Sequence, residues 1–328
     1  MADIYFDSNY GKLYEGIEKG KNEVFEFECS YGRIKHMFIK RRIPNKINGD
    51  IYYDIITPYG YGGPIIFECK ENCKKLLVEE YAREFQAFCL DNNIVSEFVR
   101  FHPIINNVED FKTLYNTLHI RNTVGTNLKD FIDPFQEEFS KSCRKNVRKA
   151  LRNGVNFKVT ESPNDVSEFL EIYYSTMDRN KATDYYYFNK DYFNDCVRYF
   201  KGNLLLVEAV YENETIAMGF YFVYEDYIHI HLSGTLTEYL SLSPAYILRY
   251  AVTQWGKENG YKLIHHGGGR TNEDDDSLYK FKKQFGKNTE FEFHVGKKIW
   301  NSIIYKQLCE MNGIDVDIEF FPAYRSEG

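Results

Sequence analysis

The sequence predicts a mixed α/β (α+β) fold made of two similar units. A strand, a break, a long helix and a second strand follow one another in that order twice along the chain. Strands joined by polar turns precede each run, and one amphipathic helix stands between the two halves. With 328 residues, 43% of them hydrophobic, the chain is long enough for two domains and apolar enough to fill their cores.

In the first half, residues 25–29 and 35–42 read as strands. Ile51-Tyr52-Tyr53-Asp54-Ile55-Ile56 is a further strand that meets the turn Pro58-Tyr59-Gly60-Tyr61-Gly62-Gly63-Pro64. A helical pattern covers residues 74–92, with Leu77, Tyr81, Phe85 and Phe88 on one face. Asp91-Asn92-Asn93 stops it, and residues 95–102 form the next strand. In the second half, strands at 204–210 and 216–224 flank the turn Glu212-Asn213-Glu214. Residues 228–232 are a strand, 241–244 a break, 245–258 a helix ended by Asn259-Gly260, and 262–266 the following strand. Proline near that helix start and glycine after its end follow the usual asymmetry of helix termini. The two runs share little sequence identity, so the repeat is one of layout.

Residues 135–154 are predicted as one helix. Phe135, Phe139, Cys143, Val147 and Leu151 form an apolar seam, and Asn153-Gly154 ends it. Lys141, Lys145 and Lys149 make one basic row, and Arg144, Arg148 and Arg152 another. Like charges at four-residue spacing oppose helix formation, so these rows are either a solvated face or a surface for a phosphate-rich ligand. The net charge of −7 argues against broad coating of nucleic acid, which leaves only a local basic patch for any polyanion.

No run of residues is long and apolar enough to predict a membrane span, and Met1-Ala2-Asp3-Ile4-Tyr5-Phe6-Asp7 lacks the features of a signal peptide, so a cytoplasmic location is expected. The seven cysteines are scattered, and the Cys69/Cys73 pair has no second pair to complete a metal site. Most of them read as buried thiols.

The segment from His265-His266-Gly267-Gly268-Gly269-Arg270 through Asp274-Asp275-Asp276-Ser277 to Phe281-Lys282-Lys283-Gln284-Phe285-Gly286 concentrates the chemistry. It reads as a strand end, a glycine turn, an acidic helix start and a short lysine-bearing helix. The three acids are best placed to cap that helix and complement its dipole, and no metal is expected there. Beside them the glycine turn is a poor phosphate cradle, so Gly268 and Gly269 are expected to leave room for an extended substrate or a neighbouring strand. Phe281 and Phe285 are spaced to anchor the helix. His229 and His231 share one side of a strand. Nothing in the sequence orients His265 or His266, and no Ser-His-Asp or Cys-His arrangement is legible. The turn holding Tyr59, Gly60 and Tyr61 is either an aromatic-capped double turn or a wall of an acceptor groove. Lys40-Arg41-Arg42 and Arg179 are candidate diphosphate contacts.

Taken in order, several of these pieces resemble the Fem family of peptidyltransferases, the FemABX-like members of the GNAT superfamily. They are the Pro58–Pro64 turn, Arg100-Phe101-His102-Pro103, Ser142-Cys143-Arg144-Lys145-Asn146-Val147-Arg148-Lys149-Ala150 and Tyr174-Ser175-Thr176-Met177-Asp178-Arg179. Ser233-Gly234-Thr235, the glycine turn and Ser277-Leu278-Tyr279-Lys280-Phe281-Lys282 complete the set, which covers nearly the whole chain. The resemblance implies two tandem GNAT-like domains, 1–134 and 135–296, with residues 297–328 packing back on the first. It implies an aminoacyl or acyl transferase that forms an amide on an amine of a cell-envelope acceptor resembling a peptidoglycan precursor. The donor would be aminoacyl-tRNA or acyl-CoA, the acceptor nucleotide-linked or a peptide, with no tightly bound cofactor.

By the same resemblance Lys282 is the catalytic lysine that stabilises the oxyanion or the donor carbonyl. Lys40, Tyr59, Gly60, Tyr61, Arg179, Ser233, Gly268, Gly269 and Phe281 would bind substrate, and Lys141, Arg144, Lys145 and Arg148 a polyanion. Two features depart from the pattern. No heptad-rich insertion supplies the helical arm of some members, and the GNAT pyrophosphate loop reads Leu236-Thr237-Glu238-Tyr239-Leu240-Ser241-Leu242-Ser243-Pro244, without glycine. The second departure disfavours acyl-CoA, because few backbone amides would be free to cradle a pyrophosphate. The alternatives are a CoA-dependent N-acyltransferase on a sugar or peptide amine, and a binding module that has lost its chemistry.

Overall fold

The computed structural model describes residues 3–273 and 275–326. Asp274, one of the three acids read as a helix cap, lies outside them, as do residues 1–2 and 327–328 of the expected domain bounds. The chain forms two compact units. An N-terminal unit holds Tyr5–Ile120 and the described residues from Glu292 on; a C-terminal unit holds Arg121–Phe291 with Asp3 and Ile4.

The N-terminal unit runs α1 (Ser8–Leu13), β1 (Gly20–Cys29), β2 (Gly32–Ile47), β3 (Asp50–Ile56), β4 (Gly63–Cys69), α2 (Lys74–Asp91), β5 (Ile94–Arg100) and α3 (Val108–Phe111). β6 (Asn116–Asn127) carries the chain into the C-terminal unit, which continues with α4 (Pro134–Glu137), α5 (Lys141–Arg152), β7 (Asn156–Glu161), α6 (Ser167–Arg179) and α7 (Lys190–Phe200). Then follow β8 (Leu204–Tyr211), β9 (Glu214–Tyr224), β10 (Tyr227–Thr235), α8 (Pro244–Glu258), β11 (Leu263–Gly267) and α9 (Ser277–Lys283). β12 (Glu290–Ile299) leads back to the first unit, which ends with α10 (Ser302–Met311).

Within the N-terminal unit the strands lie in the order β1-β2-β3-β5-β12, and β4 also pairs with β2. β3 and β5 are parallel, as a strand–helix–strand connection through α2 requires. The apolar face of α2 buries Leu77, Tyr81 and Phe85 against Ile34, Phe38 and Ile55 of the sheet. A buried carboxylate, Glu97, is matched by the imidazole of His36 at 3.0 Å, the Tyr115 hydroxyl at 3.1 Å and the Trp300 indole N–H at 3.2 Å.

Within the C-terminal unit the order is β6-β11-β10-β9-β8-β7. β10 and β11 are the parallel pair, joined through α8, and all other neighbours are antiparallel. Alternation along the strands gives each face its own core. Tyr221, Val223, Ile228 and Ile264 pack with Leu248 and Val252 of α8. Phe220 meets Phe169 of α6, and Phe222 meets Phe200 of α7.

The predicted helix over 135–154 is interrupted. Pro134–Glu137 is a single turn, and α5 begins only at Lys141, capped by Ser140 whose hydroxyl accepts the Cys143 amide. The reason is Glu138. Its buried carboxylate accepts the amides of Asn127 and Asn288 and the Thr289 hydroxyl, which turns the backbone out of helical register. The apolar seam persists through Phe135, Phe139, Cys143 and Val147, all buried. Four strands that the sequence reading left out, β4, β6, β7 and β12, complete the sheets.

Gly234 shows how closely α6 approaches β10. A Cβ there would stand 2.6 Å from the Ile172 carbonyl oxygen and 2.9 Å from the Tyr173 Cα, both backbone atoms. Gly234→Ala is therefore expected to destabilise the protein by about 1–3 kcal/mol, measured by denaturant unfolding. A change within error would mean that α6 shifts freely on the strand.

Candidate active site

The site is built where β10 and β11 part. They pair only through Tyr227↔Leu263, Ile228↔Ile264 and His229↔His265, and both strands are irregular just beyond, between Ile230 and Leu232 and between His265 and Gly267. From that point the backbone of β11 turns through Gly267-Gly268-Gly269 toward α9.

Three side chains brace this turn. Lys282 on α9 donates from Nζ to the Gly268 carbonyl at 2.7 Å. Arg121 donates from Nη1 to the Gly269 carbonyl at 2.5 Å. Asp276 caps α9, accepting the Tyr279 amide at 2.7 Å with Oδ1, while Oδ2 accepts the amides of Arg270 and Thr271 at 2.8 and 2.9 Å. These bonds hold the Asp276 carboxyl down at about 2. Gly268 makes room for the neighbouring strand β6, one of the two expected alternatives, and Gly269 for the Asp276 cap. A Cβ would meet Arg121 Cδ at 2.9 Å in the first case and Asp276 Oδ1 at 2.5 Å in the second.

Lys282 is half-buried, and its ammonium is pushed down to about 7, by burial first and then by the charge of Arg249, with Arg121 adding to it and Asp276 opposing. α9 is placed by Phe281 and Phe285, which pack with Tyr246 of α8 at 5.4 and 5.5 Å between ring centroids. The Ser140 amide also bonds the Gln284 carbonyl at 2.8 Å, tying the start of α5 to the end of α9.

The histidines are oriented, contrary to the sequence reading, and they divide between the two faces. His265 meets the Thr123 hydroxyl at 2.9 Å and His266 the Thr126 hydroxyl at 2.8 Å, both threonines lying on β6. Thr126 gives its own proton to the Phe285 carbonyl at 2.7 Å, so it accepts from His266 Nε2–H. His266 Nδ1 then carries a lone pair, and that buried atom has no hydrogen-bond partner. Burial, Arg249 and Lys282 keep this imidazole neutral, well below its ordinary range. On the other face, His229 bonds the buried carboxylate of Asp3 at 2.8 and 3.0 Å, and its ring lies edge-on to His265 at 5.8 Å. His231 bonds the Tyr192 hydroxyl at 2.7 Å, and burial pushes it down to about 3. Asp3 escapes a sequence reading because its partner lies 226 residues away.

The other expected site residues fall as follows. Arg179 donates to the Thr235 carbonyl at 2.7 Å and to the Thr237 hydroxyl at 3.0 Å, near the far end of β10 where Ser233 also lies. Arg144 donates to the carbonyls of Gln136 and Phe139, and Arg148 lies over the Phe135 ring at 5.5 Å, so both serve the turn between α4 and α5. Lys141 and Lys145 are exposed. Lys40, Tyr59, Gly60 and Tyr61 belong to the N-terminal unit. Lys40 faces Glu23 at 3.8 Å and the Tyr53 ring at 4.7 Å. Tyr59 stacks on Tyr14 and its carbonyl accepts from Tyr10; Tyr5 fills the space at Gly60 and meets the Tyr61 ring edge-on. Arg249, a buried cation on α8 beside Lys282 and His266, was missed. In the sequence it is one arginine within an apolar helix.

Residues 137–283 match the family described as acetyltransferase (GNAT) domain. No curated protein matches the chain. Among solved structures, FemX superimposes with a TM-score of 0.69 at 12% identity, over 93% of this chain and 94% of that one. The C-terminal domain of a putative lysylphosphatidylglycerol synthetase from Agrobacterium fabrum gives 0.56 at 13% identity, over 94% and 91%. The L-PGS structure from Bacillus licheniformis gives 0.52 at 14%, over 88% and 90%. The chain therefore has a FemX-like GNAT fold. Residues 137–283 are of the GNAT type, and the protein is an acyltransferase. Among the described residues no helix is long and apolar enough to cross a membrane.

Because the folded carboxyl of Asp276 is depressed to about 2 from 3.8, the stability it supplies is present above 3.8 and is lost as pH falls toward 2. Asp276→Asn is expected to flatten that acid limb and to cost about 0.5–2 kcal/mol at neutral pH, read from unfolding curves across the range. An unchanged acid limb would remove Asp276 as the clamp of the turn.

Proposed function

We propose that this acyltransferase moves an aminoacyl or acyl group onto an amine of a cell-envelope acceptor resembling a peptidoglycan precursor, with Lys282 at the reacting carbonyl. The observation that carries this reading is Lys282 itself. It is fixed on the glycine turn within the segment that matches the acetyltransferase family, with two guanidinium groups nearby and an ammonium at about 7. A donor carbonyl seated beside it gains negative charge as the amine attacks, and a preorganised cation stabilises that charge. The fold shared with FemX and with lysylphosphatidylglycerol synthetase supports a cell-envelope acceptor.

Aminoacyl-tRNA is the favoured donor over acyl-CoA. The segment ahead of α8 is a 3₁₀ turn, Thr237–Leu242, and α8 opens on Pro244, which has no N–H to offer a phosphate. In this reading Lys40 and Arg179 contact the acceptor, Tyr59 and Tyr61 form part of its wall, and the exposed Lys141 and Lys145 meet a polyanionic donor. The working location is the cytoplasm, where aminoacyl-tRNA is found. Incubation with aminoacyl-tRNA or acyl-CoA and a nucleotide-linked muropeptide, followed by product mass, tests the reading. Product from acyl-CoA alone overturns the tRNA donor.

A second reading has its own observation. An ammonium near 7 also supplies a neutral amine able to take a proton from the attacking group. The two roles give opposite pH profiles. As an oxyanion-stabilising cation, Lys282 is expected to give a kcat/KM that falls as pH rises through about 7; as proton acceptor it gives a rise. Lys282→Met is expected to lower kcat by about 100-fold or more with KM little changed. In unfolding, the same substitution removes a rise in stability between about 7 and 10.5, the window in which only the unfolded lysine holds its proton.

A further inference from the structure

Arg249 is 5% exposed, yet no carboxylate pairs with it among the described residues. Its one hydrogen-bond partner there is the neutral Tyr221 hydroxyl, 2.6 Å from Nη1, and its Nε is buried with no acceptor. Arg121 Nε and His266 Nδ1 are buried without partners as well. Arg121 and His266 are linked to the same lysine. Arg121 bonds the carbonyl next to the one held by Lys282, and the charges of Arg249 and Lys282 both act on His266. The one acid in this group, Asp276, has both oxygens taken by backbone amides. Cations held this way, with unused donors, lack a counter-ion that the protein does not supply.

We propose that Arg249, with Arg121, forms a binding site next to Lys282 for a carboxylate carried by the substrate. The free edge of the guanidinium determines the class. With Nη1 held by Tyr221, Nε–H remains to begin the two-pronged contact that fits a planar carboxylate. A deeply enclosed arginine suits that small group better than a bulkier, more strongly hydrated phosphate. The proposal rests on the placement of the reaction at Lys282. It deepens that reading, because a transferase with this site selects an acyl group or an acceptor bearing an acid.

The test reads binding, without turnover. Wild-type protein is heated with the α-methyl esters of aspartate and glutamate, and with those of asparagine and glutamine, whose shape is similar but whose side chains are neutral. N-acetyl-alanyl-alanine and its C-terminal amide form a second pair. Stabilisation by the acidic esters alone assigns the carboxylate to the acyl group; stabilisation by the dipeptide acid alone assigns it to the acceptor. Arg249→Met is expected to weaken the effective probe by about tenfold or more. It is also expected to raise the melting temperature without ligand, because an unpaired buried cation is gone. Wild-type protein that fails to distinguish acids from amides overturns the proposal, whether or not the variant folds. So does an Arg249→Met protein that keeps the acid-specific shift, or one less stable than wild type without ligand. Product formation is followed separately, so a failed carboxylate site and a failed transferase reading give different results.

Discussion

The chemistry of the C-terminal unit depends on how briefly β10 and β11 run together. Parallel strands joined by a helix cannot share a hairpin turn, so nothing local holds them beyond the length their side chains favour. Here the pairing ends at His229 and His265. Past that point β11 must turn, and the backbone groups released by the sheet need new partners. Lys282, Arg121 and Asp276 supply them for the glycine turn. The same bonds that satisfy the backbone bring two cations together on one turn. Closure of the turn and assembly of the site are one event.

That coupling explains a charge distribution that would otherwise be unfavourable. Lys282 and Arg121 approach each other because each is fixed to a carbonyl, and Arg249 comes in from α8 with the packing of Leu248 and Val252. Burial first, and then their repulsion, lowers the ammonium of Lys282. A protein carboxylate beside Arg249 would relieve the repulsion and would also raise Lys282 toward its ordinary range. Asp276 raises Lys282 only in part, and its oxygens are taken by the amides of Arg270, Thr271 and Tyr279. The depressed lysine and the unpaired arginine are thus two consequences of one arrangement.

What could be read from the sequence follows from distance along the chain. The α2 and α8 helices were legible because their apolar faces and stop signals lie within about five turns of sequence. The Asp276 cap was legible for the same reason. Asp3, Arg249 and Glu138 were not, since each acts through a partner brought by the fold: His229, Tyr221 and Lys282, or the amides of Asn127 and Asn288. The continuous helix expected over 135–154 failed at Glu138 because the seam Phe135-Phe139-Cys143 keeps its spacing on either side of the break. Spacing of apolar residues reports burial, and a buried carboxylate with three donors overrides it locally.

The basic helix follows from the same argument. Six cations on α5 suggest a single surface, but the structure divides them by what lies N-terminal to the helix. Arg144 and Arg148 turn back to the break made by Glu138, where Gln136 and Phe139 leave carbonyls without helical partners. These arginines stabilise the turn that delivers Ser140 to the Gln284 carbonyl, and through it the end of α9. The outward face carries the three lysines and Arg152, whose flexible stems keep their charge in water. Through Arg144 and Arg148 the helix braces the segment bearing Lys282, while Lys141, Lys145, Lys149 and Arg152 stand exposed.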